Sequence, residues 1–255
     1  MINKLVKIIP FPDTRLLDKG INYMAADKED NIWIGAGNTI YRCNSTASIA
    51  REYDIFGSQQ NKHTINFVYQ DREGNMWVLT GGGLFKYDDK SDSFITYPPL
   101  GKNNAPYTMC QDQSGNYWIG TWGEGLWQFF PQKEGEECYK RHHIINSRSG
   151  ETEPIFYSMT QDNTFGYLWL LSYNELYALQ YTEEGTLVSV DIHDLVDTHM
   201  MYTKIMKDRE GNLWLGSYDM AYTIFFDNSK IDNYPLPQLK KAHGLGCKYL
   251  ESLLG

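Results

Sequence analysis

The residues of this chain best suited to chemistry are aromatics with a carboxylate or amide beside them, recurring in short polar loops. Trp122 stands with Glu124 in Thr121-Trp122-Gly123-Glu124-Gly125, and Tyr173 with Asn174 and Glu175 in Ser172-Tyr173-Asn174-Glu175. Tyr218 stands with Asp219 in Ser217-Tyr218-Asp219-Met220. A flat ring flanked by hydrogen-bonding groups suits a saccharide, whose ring face is apolar and whose rim carries hydroxyls. The same rings suit packing between neighbouring sheets or against another subunit, the commoner employment of an aromatic, and both readings stand at this level. Two carboxylates facing each other across a cleft would instead supply glycoside hydrolysis. That chemistry requires Glu124, Glu175 and Asp219 to converge, which spacing alone does not show.

Other polar clusters carry less. Asp191-Ile192-His193-Asp194 with Asp197 and His199 is the densest set of possible metal ligands, but it has no recognised ligand spacing and reads as a solvated connection. His142-His143 reads as part of an outer strand. Gly81-Gly82-Gly83 has no following Gly-Lys-Ser/Thr and is no phosphate loop. Asn44-Ser45-Thr46 matches a glycosylation sequon, a weak signal by itself. Cys43, Cys110, Cys138 and Cys247 show no Cys-x-x-Cys spacing, so they read as buried or half-buried thiols and not as a disulfide framework or zinc site. No cofactor, metal or catalytic residue is expected.

The loops are positioned by a repeat. Five times an Asp precedes a Trp by six or seven residues: Asp27 and Trp33, Asp71 and Trp77, Asp112 and Trp118, Asp162 and Trp169, Asp208 and Trp214. A unit recurring roughly every 45 residues is architectural, and four strands in that length describe a β-propeller blade. Five Asp residues, one per turn, are turn caps more readily than catalytic or calcium-binding groups. Apolar residues three positions before each Asp (Met24, Val68, Met109, Met159, Ile205) mark a strand with one buried face. Gly74, Gly115 and Gly211 supply the positive φ of a tight turn, Asp30 replaces that glycine in the first unit, and the fourth unit has one residue more. The Trp strand is apolar on both faces, as expected for a strand covered on both sides. A third strand follows the polar loop. A more polar fourth segment closes each unit, ending with Lys230-Ile231-Asp232-Asn233-Tyr234 in the fifth.

The expectation is an all-β propeller with five complete four-stranded blades at approximately 21–60, 65–100, 105–148, 155–195 and 202–237, within a single domain over 1–255. Residues 1–12 and 244–255 read as partial blades, the first containing an outer strand at 4–9 and the second a first strand. Either these pieces combine into a makeshift sixth blade, or the chain is part of a larger ring. Seven blades at this period need roughly 315 residues, and the larger ring is the favoured reading.

Composition agrees. Of 255 residues, 42% are hydrophobic and 22% charged, enough for a core and unlike a disordered segment. The aromatic share of 15% with 22 Gly suits short strands joined by turns. A net charge of −9 without a Lys/Arg-rich run argues against a nucleic-acid partner. No stretch has the apolar length to span a bilayer, and the N-terminus is too short and too interrupted by Lys for a signal peptide. Read alone the chain looks soluble and cytoplasmic; read as a fragment, its leader and anchor lie elsewhere.

The pattern Asp-x-x-Gly-Asn-x-Trp-Ile-Gly-Thr, followed by Gly-Glu-Gly-Leu or Gly-Gly-Leu and an aromatic, resembles the two-component regulator propeller repeat. Gln111 to Trp127 and Asp71 to Tyr87 match it best, and the likeness spans residues 21–235. In that family such repeats fill the periplasmic sensor region of hybrid two-component histidine kinases of Bacteroidota. The resemblance implies a non-enzymatic sensor for a glycan-derived oligosaccharide, a periplasmic location as part of a membrane receptor, and a homodimer formed through that parent receptor. The hairpin is also similar to the structural Asp boxes of sialidases, but the sequence groups no set of Arg residues such an enzyme needs. A propeller glycosidase or lyase and a protein-interaction scaffold remain as alternatives, since a fold does not by itself deliver a function.

Overall fold

The structure is a computed structural model that describes residues 16, 19–44, 48–57, 63–103, 105–173, 175–192, 201–208, 210–217, 220–224 and 243–246. The chain divides into two compact units, Met1–Tyr97 and Pro98–Gly255. The first holds two antiparallel sheets: β1 (Ile21–Ala26), β2 (Ile32–Ala36), β3 (Thr39–Cys43) and β4 (Ile49–Tyr53), then β5 (Ile65–Gln70), β6 (Met76–Thr80), β7 (Gly83–Asp88) and β8 (Ser93–Thr96). The second unit holds three. They are β9 (Pro106–Gln111), β10 (Tyr117–Thr121), β11 (Leu126–Phe129) and β12 (Tyr139–His142); β13 (Ser158–Gln161), β14 (Leu168–Leu171), β15 (Leu176–Tyr181) and β16 (Leu187–Val190); and β17 (Tyr202–Lys207), β18 (Leu213–Ser217), β19 (Met220–Ile224) and β20 (His243–Gly246). In every sheet the strands lie side by side in chain order, the meander of a propeller blade. The fold is an all-β propeller, as the repeat predicts.

Each blade is closed by its Asp. In the second, the Asp71 N–H donates to the Asn75 carbonyl at 3.0 Å and the Gly74 N–H to the Asp71 carbonyl at 3.1 Å. Gly74 sits at φ 88°, in the left-handed region that glycine occupies without a Cβ penalty. Asp30 takes the same region at φ 61° in the blade that lacks the glycine, aspartate being one of the side chains that tolerate it. The carboxylate also reaches past the turn. Its first oxygen accepts the backbone N–H of Asn31 (2.8 Å), Asn75 (2.7 Å), Asn116 (2.8 Å) or Asn212 (2.8 Å). Its second oxygen accepts the indole N–H of Trp33 (2.7 Å), Trp77 (2.8 Å), Trp118 (2.8 Å) or Trp214 (2.8 Å), together with the Asn side-chain amide. Burial works against ionisation of Asp27, yet the Trp33 indole, the Asn31 amide and two backbone N–H groups hold its carboxyl below the ordinary range.

The fourth blade absorbs its extra residue without losing this bond. Asp162 Oδ1 accepts the backbone N–H groups of Thr164, Phe165 and Gly166, and Oδ2 accepts those of Tyr167 (3.0 Å) and the Trp169 indole (2.9 Å). A backbone donor has taken the place of the Asn side chain.

Held in this way, Trp33, Trp118 and Trp169 each pack on the next blade. Trp33 packs with Ile65, Val68, Val78 and Phe85, Trp118 with Phe156, Met159 and Leu168, and Trp169 with Tyr202, Ile205 and Leu213. An aromatic of the following blade's third strand meets the indole edge-on, Tyr87 on Trp33 at 4.9 Å and Tyr181 on Trp118 at 5.2 Å. The Trp-x-Gly spacing has a packing cause. Side chains alternate along a strand, so Gly35 points the same way as Trp33, and a Cβ there would lie 2.5 Å from Ile65 Cγ2. Cys43, Cys110 and Cys138 are buried free thiols, as expected, and Cys247 lies outside the described residues.

The fifth sheet corrects one expectation. Its outer strand is β20, with Tyr222 opposite Gly244, so residues 244–246 complete this sheet and do not begin another blade. Residues 4–9, 230–234 and 247–255 lie outside the described residues. Outer strands bury little, as the half-buried and exposed pattern of β4, β8 and β16 shows, so alternation in the sequence locates them weakly.

Two predictions follow from this packing. Asp112→Ala leaves the Trp118 indole and the Asn116 donors unpaired in a buried turn, and urea unfolding is expected to show a loss of about 2–4 kcal/mol. Asp112→Asn, which keeps one oxygen, loses less. His142, buried against Trp118 beside the Gln128 amide oxygen at 3.3 Å, is pushed down to about 4 by burial and by Lys140 and His143. Because the folded chain resists a proton that the unfolded chain takes up near pH 6.5, stability is expected to fall as pH drops from about 6.5 to about 4. His142→Phe should flatten thermal melting temperature across that window.

Candidate functional site

The candidate loops lie between the second and third strands of each blade. In the third blade the loop is fixed before any side chain is considered. Thr121 Oγ1 accepts the Glu124 N–H at 3.0 Å and donates to the Gly125 carbonyl at 2.8 Å, tying the loop to the end of β10. Gly123 and Gly125 both donate to the Pro154 carbonyl, at 2.9 and 2.7 Å, and Trp122 bridges Ile155. The loop of one blade is thus stitched to the segment leading into the next.

On this support the predicted residues divide. Trp122 is 46% exposed and Tyr173 50% exposed. Neither is consumed by packing between blades. Trp122 pairs with Tyr107, whose ring centroid lies 5.3 Å away at 44°, and not with Tyr173. Glu124 and Glu175 are buried. Glu124 turns back to accept the Asn103 N–H at 2.6 Å and lies over Gly101, which adopts φ 61°. Glu175 accepts both the N–H of Ser147 (3.2 Å) and its hydroxyl, and the Tyr177 hydroxyl at 2.8 Å. Asn174, Tyr218 and Asp219 lie outside the described residues, as do His193, Asp194, Asp197 and His199 of the acidic and histidine-containing connection.

Several residues of these loops escaped the sequence reading. Glu153 accepts from Asn146 Nδ2 at 2.9 Å and from the Tyr177 hydroxyl at 3.3 Å, so two carboxylates flank one phenol. Burial first, then the Glu175 hydrogen bond and the two carboxylate charges, raises Tyr177 well above its ordinary value. Tyr107 was also missed. It stands five residues before Asp112, where the other blades carry Asn22, Asn66, Tyr157 and Thr203. That blade-to-blade variation, set within an otherwise regular strand, was the available signal. Among the described residues no group of three or more His, Cys, Asp or Glu is placed to hold a metal ion, and no helix is long and apolar enough to cross a membrane.

A family model described as two component regulator propeller matches residues 100–123 and 197–219. The first match runs from the loop held by Glu124 through the Asp112–Trp118 turn to Trp122, and the second covers the corresponding part of the fifth blade. Two segments of the chain thus match the two-component regulator propeller repeat. No curated protein matches it by sequence. The extracellular domain of a putative one component system from B. thetaiotaomicron is similar over 90% of this chain and 31% of its own length, at 20% identity and a TM-score of 0.65. That of a putative hybrid two component system from the same organism is similar over 91% and 29%, at 20% identity and a TM-score of 0.65. A catalytically inactive virginiamycin B lyase from Staphylococcus aureus, solved with Quinupristin, is similar over 90% and 71%, at 13% identity and a TM-score of 0.61. The chain spans about a third of the length of the two receptor domains. At these identities the likeness is one of fold.

Proposed function

We propose that this chain is part of the extracytoplasmic sensor propeller of a membrane-anchored two-component receptor, that it acts without catalysis of its own, and that its ligand is an oligosaccharide. The family repeats and the likeness to receptor extracellular domains over nine-tenths of the chain support the sensor class. The observation that carries the ligand class is the Trp122–Tyr107 pair, an exposed aromatic surface on a loop whose backbone is pinned to two blades. A rigid aromatic costs little entropy to dock against, and its face complements the apolar face of a sugar ring. The carboxylates that a propeller glycosidase would need at such a site, Glu124 and Glu175, are engaged in holding loops, which favours binding over hydrolysis. In the parent receptor a second copy would sit beside the first, and ligand binding would be read across the membrane.

Isothermal titration calorimetry with a panel of plant and host oligosaccharides tests this reading. Trp122→Ala and Tyr173→Ala are each expected to weaken binding by about tenfold or more, with the melting temperature unchanged because both side chains are half exposed. Unchanged affinity in both variants would sink the assignment of ligand contact to these loops.

A further inference from the structure

The third blade has a cavity that the loop aromatics do not use. It measures about 710 Å³, within the roughly 300–1,000 Å³ range of small-molecule sites. Strand alternation builds its wall. Trp127 on β11 lies directly opposite Arg141 on β12, and Phe129 lies opposite Tyr139. Gln128 and His142, on the other face, are turned toward the fourth blade, where His142 meets Tyr181. Trp127, Tyr139 and Arg141 are left to line the cavity, with Lys102, Asn103 and Glu124 contributed by the preceding loop and the β10–β11 loop.

The chemistry of this lining is specific. The Arg141 guanidinium lies over the Trp127 ring, 5.8 Å from its centroid, and has no ion-pair partner among the described residues. Stacking of this kind leaves the planar fork free to take a carboxylate in bidentate fashion. Lys102 adds a second cation, exposed and equally without an ion-pair partner among the described residues. Glu124 is buried, yet only its Oε1 is engaged, by the Asn103 N–H. Its Oε2 lies against Gly101 and has no hydrogen-bond partner among the described residues, which leaves an acceptor for a hydroxyl on a side chain that lines the cavity. Trp127 is locked by its indole N–H on the Glu124 carbonyl at 3.2 Å, and the Tyr139 hydroxyl by the Pro98 carbonyl at 2.9 Å. Their polar atoms are thus spent internally, the Tyr139 ring also stacks on Phe129 at 5.3 Å, and the remaining ring surface is what they offer a ligand.

We infer that this cavity is a binding site for a uronate unit of an oligosaccharide, with its carboxylate on Arg141 and Lys102, a hydroxyl on Glu124 Oε2 and its ring against Trp127 and Tyr139. Lys102 and Arg141, without ion-pair partners among the described residues, share this lining with the carboxylates of Glu124 and Glu136, so the cavity holds local positive charge in a chain of net charge −9 whose average field repels an anion. The inference rests on the oligosaccharide reading of the protein but not on Trp122 or Tyr173.

The test is calorimetric titration of the chain with galacturonate and glucuronate disaccharides and with their methyl esters, which keep the ring and hydroxyls and lose the charge. The expected result is binding of at least one acid, about tenfold or more weaker for its ester and for Arg141→Gln. Arg141 is exposed on an outer strand, so its replacement is expected to leave the melting temperature in place. Equal affinity for acid and ester, an unaltered Arg141→Gln, or no binding of either acid overturns the inference. Binding of a neutral oligosaccharide that depends on Trp122 and not on Arg141 also overturns it, while leaving the sensor reading intact. Acid binding that depends on Arg141 but not on Trp122 upholds the cavity and removes the loop aromatics from the site.

Discussion

The hydrogen bond from a buried indole N–H to the carboxylate of the same repeat is the constraint on which the rest of this structure depends. A propeller blade needs a large apolar side chain to fill the wedge between itself and the next, and Trp is the largest. Its N–H is then carried into an apolar wall, where an unpaired donor costs about 1–3 kcal/mol. The repeat solves this locally. The Asp that closes the turn has two oxygens with several acceptor positions, enough for the turn backbone, the Asn amide and the indole together. One residue pair therefore links the geometry of a turn to the packing of two blades. The fourth blade shows which part is indispensable: the turn lengthens and the Asn disappears, but Trp169 still donates to Asp162 at 2.9 Å.

A blade that closes itself at one end leaves its other end free to differ. The loops after the Trp strand carry no common side-chain role among the described blades. Thr80 and Thr121 each hold their loop by hydroxyl bonds to the backbone, and beyond them the residues diverge. In the third blade the divergence produces the exposed Trp122, and in the fourth the exposed Tyr173, two residues before the buried Glu175. Rigid loops bearing variable tips are what a recognition surface requires, because ordering a mobile loop on binding would consume part of the interaction energy.

The fold was legible because its determinants are local and repeated. Asp, Gly and Trp at fixed spacing are read within a dozen residues, and five copies remove the ambiguity of one. The indole bond itself was not legible, since a turn cap and a turn cap that also accepts from Trp look the same in sequence. The outer strand of the fifth sheet was misplaced because outer strands bury little and leave a faint pattern. In the loops, residue type was legible and orientation was not. Trp122 and Glu124 sit two residues apart in one motif, yet the first faces solvent and the second clasps Asn103 across a gap of 21 residues. The cavity behind them joins β11, β12 and the loop before β9, and no linear motif connects such segments.

The two buried loop glutamates show how to separate a structural carboxylate from one available to a ligand. Glu175 accepts the hydroxyl of Ser147 on one oxygen, and the Ser147 N–H and Tyr177 hydroxyl on the other. Both oxygens are occupied by the chain itself, so this side chain is explained by folding alone. Glu124 has the same burial and a similar task, holding a neighbouring loop, but it spends one oxygen on that task. A buried carboxylate oxygen without a donor is costly wherever no water or ligand reaches it. Glu124 avoids that cost because its second oxygen, without a donor among the described residues, belongs to a side chain that borders the cavity lined by Lys102, Arg141, Trp127 and Tyr139. The asymmetry between two otherwise equivalent residues therefore locates the part of the third blade that folding does not explain.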